Sequence, residues 1–349
     1  MASRRNLGIG IVGMGFMGTT HLAAASSLRG GKVVAIVTSD PRKARGDFSD
    51  VRGNFGDGGG RIDLRGVTAH PTLESLLDDD RVDIVDICLP SFLHERAALQ
   101  SLRAGRHVLV EKPIALEPSG ARRMIAAAKR ARKLLMVAQV LKFFPEFDLI
   151  RRKVRDGSWG GLLALHLRRT ISRPGWGAES WFADPSKSGG MVIDLHIHDT
   201  DFMVHLFGRP GAVRSSALVE DGRIDYLRTV YDYGDSARLL SAEGGWINAP
   251  ALPFRHGYDA YFDKASVHFD SASSPRPVIH GARGKQEAKL EARDGFRVEI
   301  QTAVDAVRSG KVPADLSAEQ AAISLEVCRA EESAAMTGKV VRLPQQRLK

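Results

Sequence analysis

Lys112, Asp194 and His198 are the side chains in this sequence whose types and settings suit proton transfer. Lys112 sits in Glu111-Lys112-Pro113, at the end of the apolar run from His107 to Glu111. If that run is a strand of an open parallel sheet, its carboxyl end borders the crevice where such sheets bind ligands. Pro113 sets the chain direction there and admits a cis Lys112–Pro113 bond. Asp194 and His198 belong to a helical stretch that opens at Gly189-Gly190, runs through Phe207 and stops at Gly208. Residues four apart share a helix face, so the carboxylate is placed beside the imidazole, and Asp201 and His205 extend that face. Such a carboxylate orients a proton-transfer histidine and tunes its pKa. Each motif alone also has a plain structural reading, because a single helical histidine commonly packs or caps. His196, His198 and Asp199 invite a metal reading, but their order matches no metal signature, and no metal is expected.

Positioning these groups calls for a nucleotide-type sheet, and residues 1–142 carry its pattern. Strand patterns at Leu7–Val12, Lys32–Thr38, Arg81–Leu89, His107–Glu111 and Leu134–Val140 alternate with helical ones at Thr19–Leu28, His94–Ala104 and Pro118–Lys133. Continuous apolar strands separated by helices predict a Rossmann-type, doubly wound parallel sheet within an α/β chain. The turn after the first strand reads Gly13-Met14-Gly15-Phe16-Met17-Gly18, a G-x-G-x-x-G match with a strand before it and a helix after it. The frame beginning at Gly8 would leave no strand before the turn. Gly13 permits the tight turn, Gly15 lets the backbone approach a pyrophosphate, and Gly18 lets helix pack on strand. The helix N-terminus offers N–H groups to the anion, and Phe16 and Met17 join the expected cofactor contacts. The second strand ends in Thr38-Ser39-Asp40, followed by Arg42 and Lys43. An acid at the position of Thr38 would bind the ribose of NAD, whereas small hydroxyls followed by basic residues suit the 2′-phosphate of NADP. The reading leans to NADP over NAD, with Asp40 either binding ribose or capping the next helix. The glycine-rich stretch from Phe48 to Val67 is read as too flexible for strand or helix, either an exposed insertion or a loop beside the adenosine end.

The 349 residues, 43 % hydrophobic and 26 % charged, suit two globular domains, placed at 1–142 and 143–349. From Phe143 a helix (Pro145–Asp156) leads into strand patterns at Leu162–Ile171, Ala212–Val219, Arg223–Asp232, Ala237–Ala242 and Ser266–Asp270. Successive strands joined by turns predict an α+β domain with an open, mainly antiparallel sheet. The net charge of +9 comes from scattered Arg and Lys. Without a recognisable nucleic-acid module it argues against a nucleic-acid partner. No apolar run approaches the ~20 residues of a membrane span. Cys88 and Cys328 read as buried free thiols of a reducing compartment. No cleavable apolar segment follows Arg4-Arg5, so a cytoplasmic location is expected.

Together the glycine turn, Glu111-Lys112-Pro113 and the Gly189-Gly190…Asp194…His198 helix, in this order and at these separations, resemble the glucose–fructose oxidoreductase, inositol dehydrogenase and rhizopine-catabolism (Gfo/Idh/MocA) family. Pro90-Ser91-Phe92-Leu93-His94 is similar to the family's segment beside the nicotinamide, which adds Pro90 and His94 to Glu111 and Lys112 as expected cofactor neighbours. The stretch Ser317–Leu343 is similar as well. The resemblance implies an NAD(P)-dependent dehydrogenase or reductase that moves a hydride between nicotinamide and a hydroxyl or carbonyl of a sugar, cyclitol or related polyol. It implies that His198 exchanges the proton, that Lys112 stabilises charge on the same oxygen, and that Asp194 binds a neighbouring hydroxyl or orients the imidazole. It also implies a sheet face that pairs with another subunit, in a homodimer or homotetramer. Trp176 and Trp181, with Phe182, lie in the loop before the Asp194 helix and are assigned to the substrate pocket, because aromatic rings pack on the C–H faces of sugars. Arg168, Arg169 and Arg173 could meet an acidic substrate, although strand alternation turns half of them away. Thr38 and the Phe48–Val67 insertion depart from the family pattern. Two rival readings stay open: an NAD-dependent glycoside hydrolase on the same scaffold, and a non-catalytic NAD(P)-binding sensor.

Overall fold

Short runs of Val, Ile and Leu that are apolar on both sides need cover on both faces, and they build a parallel sheet. The computed structural model describes residues 5–53, 59–173, 181–234, 238–249 and 251–344. The chain divides into two units, Met1–Phe143 with Arg293–Ala322 and Phe144–Ala292 with Ile323–Lys349. In the first, β1 (Leu7–Val12), β2 (Gly31–Val37), β3 (Thr68–His70), β4 (Ile84–Ile87), β5 (His107–Glu111) and β6 (Leu135–Ala138) lie in the order β3-β2-β1-β4-β5-β6. All five pairings are parallel. The order reverses between β1 and β4, and ligands of open parallel sheets bind at such a reversal. Ile84, Val85 and Ile87 on β4 are at most 1 % exposed, each burial contributing about 1.5–3 kcal/mol.

Helices α1 (Phe16–Ala24), α2 (Leu73–Leu77), α3 (His94–Arg103) and α4 (Pro118–Ala131) connect these strands. Pro118 starts α4 where its missing N–H costs nothing, and Gly120, Ala121, Met124, Ala127 and Ala128 form its buried stripe. A reciprocal Thr72–Ser75 capping box starts α2. The short β3 has no apolar run and pairs only with β2, which is why its sequence did not announce it.

In the second unit, α5 (Pro145–Asp156) precedes β7 (Leu162–Ser172), and α6 (Pro185–Ser188) precedes a π-helical turn, Val192–His196, that runs into α7 (Ile197–Phe207). Then come β8 (Ala212–Glu220), β9 (Arg223–Asp232), β10 (Leu239–Ile247), β11 (Arg255–Phe262), β12 (Ala265–Asp270), β13 (Val278–Gly281) and β14 (Gly284–Glu287), and β15 (Val341–Arg342) closes the sheet. Among the described residues the strand order is β14-β13-β12-β11-β7-β10-β9-β8-β15. Only β7 and β10 pair in parallel. On β7, Leu165, Leu167, Arg169 and Ile171 are buried and alternate with more open neighbours, as a sheet with one covered face requires. Phe147 of α5 meets Phe202 of α7 edge-on at 5.3 Å and Tyr258 of β11 at 5.4 Å, so one aromatic cluster seats both helices on the sheet.

The last helices are α8 (Gly295–Ser309) and α9 (Ala318–Thr337). The sequence reading assigned everything from 143 onward to the second domain, but 293–322, including α8, fold with the first unit. Helical periodicity reveals a buried stripe without saying which sheet it covers. Strand β11 was also missed, because its polar His256, Gly257 and Asp259 conceal the alternation of Tyr258, Ala260 and Phe262.

Candidate active site

The nucleotide turn is built as its glycines demand. Gly13 has φ +96°, and a Cβ there would stand 2.6 Å from the Cys88 carbonyl oxygen. A Cβ on Gly18 would overlap the Gly13 carbonyl, whereas one on Gly15 would meet nothing within 4 Å. The backbone at Gly15 therefore faces open space. Gly15 caps α1 without a side-chain bond, and no acidic residue stands in the first turn. An open helix N-terminus with approachable backbone fits a pyrophosphate. Gly8 and Gly10 lie inside β1, which selects the frame beginning at Gly13.

Beyond β2, Asp40 is committed locally. Its Oδ1 accepts the Arg42 N–H at 2.8 Å and its Oδ2 accepts the Arg42 guanidinium at 3.1 Å, bonds that hold its pKa below the usual carboxylate range. Arg42 also donates to Asp50 at 3.0 Å. Thr38 Oγ1 accepts the Asp40 N–H at 3.2 Å. Lys43, outside the expected cofactor set, donates to the Met14 carbonyl at 3.2 Å and so brings a cation to the glycine turn. The described residues of the insertion form neither strand nor helix and are anchored by specific contacts. Phe48 is fully buried, its N–H bonds the Gly60 carbonyl at 2.9 Å, and Asp47 bridges to Arg61. A Cβ on Gly53 would overlap the Phe16 ring, so this loop lies against the nucleotide turn.

At the carboxyl edge of β5 the Lys112–Pro113 bond is cis. Glu111, 5 % exposed, turns inward: its Oε2 accepts the Lys112 N–H at 3.0 Å and its Oε1 lies 3.1 Å from His21 Nε2. His94 is 1 % exposed, with Nδ1 2.7 Å from the Pro113 carbonyl oxygen and Nε2 2.8 Å from that of Leu89. The side chains of Glu111 and His94, expected to contact cofactor, instead hold the loops after β5 and β4. Lys112 and Pro90 are only partly buried at that edge.

In the second unit the helix from Met191 to Val204 is buried at every position except Asp194 and His198, which are half-buried. The four-residue spacing survives the π turn, because a turn widened by one residue leaves residue i+4 just short of a full circle instead of just past it. Asp201 does not continue this open face: it is 1 % exposed and accepts the Ser324 hydroxyl at 2.8 Å. Asp199 is taken by Arg169, whose Nε and Nη2 donate at 2.8 and 3.1 Å, with side chains 0 % and 5 % exposed. His196 is fully buried 3.6 Å from Glu331. Burial opposes its charge most strongly, but Glu331 and, less, Asp199 together outweigh it and raise its pKa. His196, His198 and Asp199 thus do not converge as a ligand set.

The three arginines are all engaged by acids. Arg168 pairs with Asp259, Arg169 with Asp199 on the opposite face, and Arg173 with Asp225 and Glu220. Trp176 lies outside the described residues. Trp181 packs edge-on against Phe182 at 5.6 Å and is not among the residues that line the nearby cavity. That cavity, about 930 Å³, is lined instead by Phe182 and Trp246, with Gly189, Gly190 and Arg173 beside them. Trp246 lies on β10, where an aromatic residue reads as ordinary strand packing.

A sequence model of the oxidoreductase family with an NAD-binding Rossmann fold matches residues 7–139, and the Gfo/Idh/MocA C-terminal domain matches residues 147–284. The chain is 26 % identical over 266 residues to the NADP(+)-dependent scyllo-inositol 2-dehydrogenase IolW of Bacillus subtilis, covering 74 % of this chain and 69 % of that protein. It is 27 % identical over 320 residues to the inositol 2-dehydrogenase of Streptomyces avermitilis, covering 88 % and 85 %. An oxidoreductase from Agrobacterium radiobacter, solved with NAD+, L-tartaric acid and magnesium, shares the fold with a TM-score of 0.79 at 15 % identity, covering 97 % of this chain and 98 % of that one. With the β1–β4 reversal, the glycine turn and both matched halves in place, the chain belongs to the Gfo/Idh/MocA family of NAD(P)-binding oxidoreductases.

Proposed function

We propose that this protein is a dehydrogenase or reductase for a polyol, such as a sugar or cyclitol, with NADP favoured over NAD. The observation that carries the reading is the pair Asp194 and His198, the only openings in the buried helix from Met191 to Val204. A helix that buries twelve positions around two partners for proton transfer fits chemistry better than packing. The nicotinamide, when bound, supplies the hydride chemistry. His198 takes the proton from the reacting hydroxyl in oxidation and returns it in reduction. Lys112, at the carboxyl edge of β5, stabilises negative charge developing on that oxygen. Asp194 orients the imidazole or holds an adjacent hydroxyl. The NADP preference rests on Asp40, whose two carboxylate oxygens are occupied by Arg42, and on Lys43 at the glycine turn. Association of two or four copies through the second sheet is part of the proposal, supported by exposed Leu218, Val230, Leu239 and Tyr261 on its strands.

The test is steady-state turnover of polyols, followed by nucleotide absorbance, in His198→Ala and Lys112→Met. Each should lose about 10²-fold or more in kcat, with nucleotide affinity by calorimetry essentially unchanged. Turnover retained in either variant removes the assigned role. A sugar glycoside cleaved without net change in nucleotide absorbance would favour the hydrolase.

A further inference from the structure

Beneath Lys112 the first unit buries six groups with acidic or basic character that the reaction itself does not use. His21, on α1 one turn past Gly18, is fully buried. Its Nδ1 lies 2.9 Å from Asp86 Oδ2 and its Nε2 lies 3.1 Å from Glu111 Oε1. Asp86, on β4, is 1 % exposed. Cys88 Sγ lies 3.5 Å from His21 Nδ1. A carboxylate oxygen of Glu299, on α8, lies within 4.8 Å of both the ring nitrogen and Glu111. Phe296 of α8 stands 6.2 Å from the ring, and buried Lys142 adds positive charge to the same region.

The arrangement has one simple charge assignment. Only a doubly protonated ring can donate to both carboxylates, and an imidazolium between two carboxylates is a satisfied buried ion set. Burial is the largest single influence and opposes the charge on His21, but Asp86 and Cys88 together outweigh it and raise the pKa well above the ordinary histidine value. The His21 ring thus faces both Asp86 and Glu111. Glu299 is left over: it is fully buried, and among the described residues neither of its oxygens has a hydrogen-bond partner. Burial, and then the Glu111 charge, raise its pKa well above the carboxylate range, so it holds a proton. These donor atoms would also suit a metal ion, but binding one at either ring nitrogen would break a hydrogen bond already made.

We propose that His21 is a positioning residue for Lys112: braced by Asp86, it fixes Glu111, and Glu111 in turn holds the backbone of Lys112 through the 3.0 Å bond to its N–H. The chain Asp86–His21–Glu111–Lys112 joins β4, the nucleotide helix α1 and the end of β5, so the helix that opens at the glycine turn also holds the catalytic amine in register. The inference rests on the role proposed for Lys112. Small displacements of a reacting group reduce turnover by orders of magnitude while leaving binding largely intact.

The experiment compares His21→Gln, Asp86→Asn, their double variant, Glu299→Gln and Lys112→Met in the full chain. Calorimetric titration with NADP reports that the first unit is folded. His21→Gln and Asp86→Asn should each lose about tenfold or more in kcat, with KM for the polyol within about threefold of the parent. The double variant should lose no more than the worse single one, as expected of links in one chain. Glu299→Gln should be silent, because the amide replaces a neutral carboxyl. If His21→Gln does not fold, Asp86→Asn, which preserves shape, decides alone. Parental kcat in Asp86→Asn, or a tenfold loss in Glu299→Gln, overturns the inference while leaving the role of Lys112 standing. Full turnover in Lys112→Met would instead remove the reading on which it rests.

Discussion

Replacing Asp199 by Ala would leave the Arg169 guanidinium, 5 % exposed, without the carboxylate that accepts its two bonds at 2.8 and 3.1 Å. Breaking a buried ion pair from one side costs about 3–5 kcal/mol, because the surviving charge stays desolvated. For a unit of roughly 150–250 residues each kcal/mol lowers the midpoint by about 2–4 °C, so a fall of about 6–20 °C is expected. The assay is unusually selective. All four tryptophans (159, 176, 181 and 246) and all five tyrosines belong to the segment Phe144–Ala292. Tryptophan and tyrosine fluorescence during urea or thermal unfolding therefore originates in the second unit. The control is Arg169→Met combined with Asp199→Leu, which removes both charges and should recover most of the loss. A loss below about 1 kcal/mol in Asp199→Ala, or a double variant no better than the single, would show that the pair is not an essential buried tie between β7 and α7.

Two further expectations follow from packing and charge. His256 sits among Phe144, Phe147, Phe254 and Phe269, and burial, aided by the Arg169 charge, pushes its pKa down to about 3. Its unfolded value is about 6.5, so between these values the unfolded chain holds the extra proton. The stability linked to His256 is therefore complete above pH ~6.5 and lost as pH falls toward ~3, by up to about 1.4 kcal/mol per pH unit. His256→Phe should flatten the fluorescence-detected stability profile across that window, and an unchanged slope would refute the assignment. Gly53→Ala forces a Cβ into the Phe16 ring. Overpacking of this kind costs about 1–3 kcal/mol, which would appear as an NADP dissociation constant about five- to 150-fold higher, with unaltered tryptophan and tyrosine unfolding. Parental affinity would mean that the insertion does not support the nucleotide turn.

Sequence alone determined the features that neighbours along the chain decide. The Gly13, Gly15 and Gly18 spacing, the apolar runs of β1, β2, β4, β5 and β6, the Glu111-Lys112-Pro113 edge and the Asp194/His198 spacing are each written within a few residues. Periodicity and turn geometry are local backbone properties, so they can be read without knowing what lies opposite. One signal was present and unused: Asp86 is an acid inside the otherwise apolar run of β4, and a buried strand rarely carries a carboxylate without a partner. Its partner was not legible, because His21 is 65 residues away along the chain and Glu111 is 90 from His21. The same limit hid the Arg169–Asp199 tie, the seat of Gly53 against Phe16 and the attachment of α8 to the first unit. Tertiary structure decides these because a side chain's partner depends on which strands share a register and which helix faces meet them. That information belongs to the folded chain and to no window of its sequence.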